Sequence, residues 1–113
     1  MIVSVETWSI RDSIRSEIRR GAMEFMKKFV KCVREKWPEI RYEVLRNGDG
    51  SQNDIHFSSR HESISAHQQF VEMSWNDDEI KSLVDELEKM ERPTGNTFFF
   101  NRRTHYYHIV DLD

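Results

Sequence analysis

The chain has 113 residues, of which 37% are hydrophobic and 33% charged, so we expect residues 1–113 to form a single domain with a thin core of large side chains. No apolar stretch approaches the roughly 20 residues that a membrane span needs. The net charge is −3, and aromatic residues do not alternate with the basic residues of the first half. We therefore expect neither a membrane nor a nucleic-acid partner.

Residues 2–10 alternate between apolar and polar side chains, which is the period of a β-strand and not of a signal peptide. Val3 and Val5 form the apolar face, which we expect to pack against helices. The other face carries Ser4, Glu6 and Trp8.

A long amphipathic helix is predicted next. From Asp12, a candidate N-cap, apolar residues recur every three or four positions until Trp37 and Pro38 interrupt the pattern. Cys32 lies among these apolar positions and is the one cysteine of the chain, so no internal disulfide can form. We expect Cys32 to be buried and the protein to be cytoplasmic, because thiols stay reduced there.

A hairpin is predicted after this helix. Residues 40–46 form one strand and residues 53–62 the other, and the "NGDG" between them supplies turn residues that accept positive φ angles. Alternation along the second strand of the hairpin directs Ile55 and Phe57 toward the helices. It directs His56, Ser58 and Arg60 to the opposite face.

Two helical segments and a strand complete the pattern. Residues 63–74 predict a helix, and a further helix restarts where Asn76 and Glu79 have the spacing of a capping box. The last strand is predicted around residues 105–111. We interpret the preceding Phe98–Phe100 as a subunit contact in preference to a lid over a ligand.

The element order predicts the α+β class. Strand, helix, strand, strand, helix, strand is the βαββαβ order of a ferredoxin-like fold with an antiparallel four-stranded sheet. Helices cover only one face of such a sheet, so the other face meets water, a ligand or another subunit. We expect Glu6 and Trp8 to share this open face with His56 and Arg60. Two open faces brought together would enclose an apolar cavity with a few polar groups, as in small-molecule sites.

Three segments carry a family resemblance: "MIVSVETWSI" as a first strand, "RYEVLRN" as a second, and "ESISAHQQF" as a strand-to-helix segment that contains His67. Over most of residues 1–90 the chain resembles the antibiotic biosynthesis monooxygenase type of the dimeric α+β barrel superfamily. The resemblance implies a homodimer with a pocket between sheet and helices in each subunit. It also implies oxygenation of an aromatic or polyketide-type molecule without metal or flavin, so we expect no cofactor.

The same superfamily includes a branch that degrades haem. That branch carries an Asn on its first strand, whereas the corresponding positions here are Ser4 and Glu6. Haem degradation is therefore not expected. The third strand of the family commonly ends in Trp, whereas residues 58–61 here read Ser-Ser-Arg-His.

Oxygenation without a cofactor needs a base to form an electron-rich anion and a donor to hold that anion. His56 is the candidate base, because imidazole titrates near neutral pH, and Arg60 is the candidate partner of the anion. The candidate substrate-binding residues are Trp8, Glu6, Tyr42 and Ser58. In the alternative interpretation His56 and Arg60 are solvated or interface residues. The protein would then be a non-catalytic homodimer of the same fold that binds a small ligand or acts in regulation.

The remaining histidines do not predict a metal site. His61 and His67 are interpreted as residues of the corner between the third strand and the next helix. His105 and His108 are three positions apart on a strand, which places them on opposite faces. Neither Cys-x-x-Cys nor His-Glu-x-x-His spacing occurs, so we expect no bound metal.

Overall fold

Four antiparallel strands form one sheet in the order β2-β3-β1-β4 in the computed structural model of the protein. They are β1 (Ile2–Ile10), β2 (Glu43–Arg46), β3 (Asp54–His61) and β4 (Phe99–His108). The structure describes residues 1–11, 16–50, 53–110 and 112. Because β1 pairs with both β3 and β4, the two edges of the sheet are β2 and β4.

Three helices cover one face of this sheet: α1 (Ser16–Lys36), α2 (Ile64–Trp75) and α3 (Asp78–Glu91). Val33 of α1, Phe70 of α2 and Ile80 of α3 share one buried cluster with Ile55 and Phe57 of β3. This is the predicted βαββαβ order, with the second helical segment divided into two helices. Within the described residues, no helix is both long and apolar enough to cross a bilayer.

The pairing of β1 with β3 shows which side chains face the helices. Glu6 lies opposite Phe57 and Trp8 lies opposite Ile55, and directly opposed residues share a face. Ile55 and Phe57 are only 1% and 4% exposed, so their face is the covered one. The prediction for β3 is confirmed, but the orientation predicted for β1 was wrong, since Glu6 and Trp8 face the helices.

The error on β1 has a physical cause. Ser4 is fully buried and forms a hydrogen bond with His67, so a polar residue occupies an inward position at little cost. Val3 and Val5, which sequence polarity assigned to the core, lie half-buried on the open face. Polarity therefore does not mark the solvent side of this strand.

The pairing of β1 with β4 contains an irregularity. Thr7 lies opposite Arg103, whereas the next residue, Trp8, lies opposite Asn101, so Arg102 is an extra residue on β4. Such a β-bulge changes which side chains of the bulged strand face each side. The part of β4 before Arg102 and the part after it thus follow opposite alternations.

Residues 98–100 are divided between the core and the surface. Phe98 is fully buried in a cluster with Ile10 and Leu87, and Phe99 is half-buried against the same cluster. Phe100 is exposed, with the Arg11 guanidinium 5.3 Å from its ring centroid. The interpretation of the whole segment as a subunit contact was therefore wrong for Phe98. The last strand also begins earlier than predicted.

Helix ends follow local hydrogen bonding. The side chain of Ser63 accepts a hydrogen bond from a backbone N–H of α2, and the side chain of Asp77 accepts one from Ile80 N–H at the start of α3. Asn76, the predicted cap of the second segment, instead ends α2. The predicted cap Asp12 lies outside the described residues.

The segment before β2 shortens that strand relative to the prediction. Residues Pro38–Ile40 form a 3-10 turn, and Arg41 has a φ of 50° in the left-handed region. Residue Gly50 of the predicted turn has a φ of 71°, which glycine adopts without a Cβ clash.

Candidate functional site

A cavity of about 170 Å³ lies between the covered face of the sheet and the three helices. Its walls are mainly apolar and rich in aromatic rings, and Trp75 and Thr97 among its lining residues are exposed, so it reaches the surface beside them. The aromatic residues of the wall include Trp8, Phe29, Phe57, Phe70, Trp75 and Phe99. Flat rings on several sides suit a flat apolar ligand.

Glu6 brings a carboxyl group into this apolar cavity. It lies at the middle of β1, opposite Phe57, and its side chain makes no hydrogen bond within the described part of the chain. Burial raises the pKa of the Glu6 carboxyl above its ordinary value. The carboxylate form is therefore a stronger base than an exposed glutamate, and no donor among the described residues satisfies it.

Tyr42 brings a hydroxyl group to the same cavity. Its ring stacks on Phe57 with centroids 5.8 Å apart, which holds the side chain against the wall. Its hydroxyl makes no hydrogen bond to the described residues, while its backbone carbonyl accepts one from Arg34. Burial, and then the negative charge of Glu6, raise the pKa of Tyr42, so the hydroxyl keeps its proton at neutral pH.

The Ser74 hydroxyl and the Glu91 carboxylate of the wall are already engaged within the protein. The Ser74 hydroxyl donates to the Val71 carbonyl at 2.8 Å, and the Glu91 carboxylate accepts from the Phe98 N–H at 2.7 Å. Glu6 and Tyr42 are thus available to a molecule that enters the cavity. A carboxylate accepts and a protonated phenol donates, so together they offer both halves of a hydrogen-bonded pair.

The predicted site residues separate into two groups. Trp8, Glu6 and Tyr42 line the cavity on the covered side of the sheet. The other three predicted residues lie on the open face, so one molecule in the cavity cannot contact both groups. These three residues are His56, Ser58 and Arg60.

His56 is held in a polar cluster on the open face. Its Nδ1 lies 2.9 Å from the Thr7 hydroxyl and its Nε2 lies 2.7 Å from Asn47 Oδ1, so both ring nitrogens have partners. Nearby, Ser9 donates a hydrogen bond to Asp54, which lowers the pKa of that carboxyl. This cluster explains why Thr7 and Ser9 are almost fully buried although no helix covers them.

A second polar cluster, which the sequence did not predict as a unit, lies on the covered face under α2. The Nε2 of His67 is 3.0 Å from the Ser4 hydroxyl, and its Nδ1 is 3.0 Å from the Tyr106 hydroxyl. His61 contacts the His67 ring edge-on and lies 2.8 Å from the Ser59 hydroxyl. The partners of His67 are 63 and 39 residues away in the chain, so no local sequence motif predicts these contacts.

His61 is the last residue of β3, at the corner before α2 where the sequence placed it, and it is only 6% exposed. Burial lowers the pKa of His61, and burial together with the nearby His61 lowers the pKa of His67 to about 4. Both rings are therefore neutral at neutral pH. A neutral imidazole has one donor and one acceptor nitrogen, which matches the two hydroxyl partners of His67.

Cys32 approaches Asp77 and Glu79, with ligand atoms within 4.8 Å of one another. The Lys36 ammonium lies 2.8 Å from Asp77 and 3.2 Å from Glu79, so a protein cation already neutralises the two carboxylates. Burial raises the pKa of the Cys32 thiol to about 11, which keeps it protonated. This cluster is an ion pair beside a buried thiol.

No protein-family model matches the sequence, and no curated protein matches it either. Solved structures do match the arrangement of strands and helices described above. The fold is ferredoxin-like. One similar structure is a protein from Bacteroides fragilis described as dimeric, of unknown function and of ferredoxin-like fold. It has 16% identity and a TM-score of 0.55, with 96% of each chain covered.

Two further ferredoxin-like neighbours have names that refer to families. A Deinococcus radiodurans protein, provisionally designated an antibiotic biosynthesis monooxygenase, has 11% identity and a TM-score of 0.58, with 100% of this chain and 96% of that chain covered. An uncharacterized NIPSNAP domain protein from Burkholderia xenovorans has 11% identity and a TM-score of 0.59, with 98% and 94% covered. The resemblance predicted from the sequence is thus confirmed at the level of the fold.

Proposed function

We propose that the protein is a small cofactor-independent monooxygenase, or a closely related enzyme, that acts on an aromatic or polyketide-type molecule in the cavity between sheet and helices. The observation that carries this proposal is the carboxyl group of Glu6, which faces an aromatic cavity without a hydrogen bond from the described chain. A carboxyl group on an apolar wall that lacks a donor from the described residues costs stability, so we take its position to reflect what it binds. The fold of the Deinococcus radiodurans neighbour supports the same reaction class.

The proposed reaction begins with proton transfer to Glu6. Its carboxylate removes the hydroxyl proton of an electron-rich substrate, and the Tyr42 hydroxyl donates a hydrogen bond to the resulting oxyanion. The anion passes one electron to dioxygen, which gives a substrate radical and superoxide. Their combination at a ring carbon forms a C–O bond, and the peroxide takes back the proton. Loss of water then leaves a carbonyl, so substrate and O₂ give a quinone-type product and H₂O.

In this mechanism Glu6 takes the role that the sequence suggested for His56. His56 is hydrogen bonded to Thr7 and Asn47 on the far side of the sheet and cannot reach a molecule in the cavity. Trp8 and Tyr42 keep their proposed roles as ring contacts to the substrate, and Glu6 becomes the base as well as a binding group. The role of Arg60 as partner of the anion is assigned instead to the Tyr42 hydroxyl.

We propose that His56, Ser58 and Arg60 belong to a subunit interface, because the open face is the natural surface for a homodimer. Exposed Tyr107 and Leu45 lie on this face beside half-buried valines of β1, so it combines apolar and polar groups. The dimeric neighbour of the same fold supports this assembly. A cytoplasmic location is also proposed from the free thiol of Cys32, and imaging of a fluorescent fusion would test it.

Oxygen uptake tests the proposed reaction. Protein freed of metal and flavin should consume O₂ with a panel of quinols, naphthols and anthrones, and the product should carry one new carbonyl oxygen from ¹⁸O₂. Glu6→Gln should lower turnover by about 100-fold or more, as expected for loss of a general base. The matched control Glu88→Gln, an exposed glutamate on α3 that does not line the cavity, should leave turnover unchanged. If no member of the panel supports uptake, or if the two variants behave alike, the proposal is wrong.

A further inference from the structure

We propose that the cavity selects neutral hydroxyarenes of one or two rings, with the ligand hydroxyl held between Glu6 and Tyr42. This inference rests on the proposed function in one respect, namely that the cavity is the ligand-binding site. It concerns which ligands bind there and not the reaction with oxygen. It narrows the substrate class from aromatic and polyketide-type molecules in general to small phenols and naphthols. Size, polarity and charge each support it.

The size of the cavity limits the number of rings. An engineered apolar cavity of about 150 Å³ accommodates benzene, and the cavity here measures about 170 Å³. One ring therefore fills most of the enclosed space. A second ring can extend toward the mouth, where exposed Trp75 provides an aromatic surface. A third ring would project beyond the mouth into water and gain little contact.

The two polar groups select a hydroxyl. The Glu6 carboxylate needs a donor and the protonated Tyr42 hydroxyl needs an acceptor, and a ligand hydroxyl supplies both from a single oxygen. An ammonium group supplies donors but no acceptor, so it would leave the Tyr42 proton unsatisfied. A hydrocarbon would leave both groups desolvated without a partner, which costs more than the apolar contact of one group gains.

The charge of the site disfavours anionic ligands. The charged residues that line the cavity are Glu6 and Glu91, and no Lys or Arg is among its described lining residues. A ligand carboxylate would meet a like charge in an environment of low dielectric constant. Aromatic acids should therefore bind far more weakly than the corresponding phenols.

Binding measured under nitrogen tests the inference without turnover. The indole N–H signals of Trp8 and Trp75, which line the cavity, would report titrations by NMR. The ligands are 1-naphthol, naphthalene, 1-naphthoate, 1-naphthylmethylammonium and 1-hydroxyanthracene. We expect 1-naphthol to bind at least about tenfold more tightly than each of the first three alternatives, and 1-hydroxyanthracene to bind no more tightly than 1-naphthol.

Two variants identify the groups that recognise the hydroxyl. Glu6→Gln and Tyr42→Phe should each reduce the preference for 1-naphthol over naphthalene, while the control Glu88→Gln keeps it. Equal affinity of 1-naphthol and naphthalene for the native protein, tighter binding of the ammonium ligand, or tighter binding of the three-ring ligand would each overturn the inference. These three comparisons of affinity are made on the native protein, so they do not depend on whether a variant folds.

The outcomes separate this inference from the proposed function. Selective binding of 1-naphthol without oxygen uptake would support the inference and contradict the monooxygenase. Oxygen uptake only with three-ring substrates would support the monooxygenase and contradict the inference.

Discussion

The imidazole of His67 joins helix α2 to the centre of the sheet through Ser4: the His67 Nε2 lies 3.0 Å from the Ser4 hydroxyl, and both residues are almost fully buried. Phe70, one turn further along α2, forms part of the cavity wall and contacts the His61 ring. The same helix therefore carries a polar attachment to the sheet and a wall of the proposed site.

We expect acid to destabilise the protein through His67. Its folded-state pKa of about 4 lies below the ordinary value of 6.5, so protonation favours the unfolded chain. The stability is fully present above about pH 6.5 and falls as the pH drops toward 4, by roughly 3 kcal/mol from this residue. Urea unfolding at several pH values measures it. His67→Gln should flatten the profile, whereas exposed His105→Gln should not; equal profiles for all three proteins would refute the assignment.

Glu6→Gln is expected to stabilise the protein at neutral pH while it lowers turnover. Burial raises the pKa of Glu6 in the folded state, so the charged carboxylate costs stability above the folded pKa and the neutral acid does not. Removing the charge should raise the free energy of unfolding by about 1 kcal/mol at pH 7, with the gain disappearing as the pH falls below the ordinary value of 4.5. Thermal unfolding of both proteins at pH 7 and pH 4 tests this. A loss of stability at pH 7 would show that the carboxylate has a stabilising partner.

The open face is expected to hold the homodimer together. A charge placed at exposed Tyr107 or Leu45, as in Tyr107→Glu or Leu45→Glu, would be buried at the interface without a partner and should dissociate the subunits. Sedimentation velocity should give twice the chain mass of 13.6 kDa for the native protein and the single mass for the variants. Met73→Glu, an exposed position on α2, is the control and should remain dimeric. A native monomer would rule out this interface.

Cys32 is expected to be unreactive in the folded protein. Its side chain is 4% exposed, and burial raises its pKa to about 11, so little thiolate exists at neutral pH. Iodoacetamide should label the thiol only at the rate of unfolding, and rapidly in urea. Fast labelling of the native protein would mean that α1 opens locally around this position.

Much of the fold follows from local pattern. The alternation of β3 assigned Ile55 and His56 to the correct faces because the first inward positions, Ile55 and Phe57, are apolar, although Ser59 and His61 further along also face inward. On β1 the same reasoning failed, since Ser4 and Glu6 point inward for a hydrogen bond and for a cavity. Burial there depends on partners that are distant in sequence, such as His67.

The candidate site was also predicted in part from the sequence. Trp8, Glu6 and Tyr42 were predicted to contact the ligand, and the structure places all three around one cavity. His56 was chosen as the base because of its residue type and was assigned to the correct face, but the orientation of β1 was predicted wrongly, so Glu6 and Trp8 line a cavity on the opposite side of the sheet. The choice between the two faces is made by the helices that pack on one of them.

The extra residue at Arg102 has a consequence for how β4 is compared with other proteins. After the bulge the even-numbered residues, such as Tyr106, face the helices, whereas before it the odd-numbered residues, such as Phe99, do so. One strand therefore presents Tyr106 to the histidine cluster and Phe99 to the cavity, although seven positions separate them. An alignment that keeps a single phase along the whole strand would assign Phe100 to the cavity wall and transfer ligand contacts to the wrong ring.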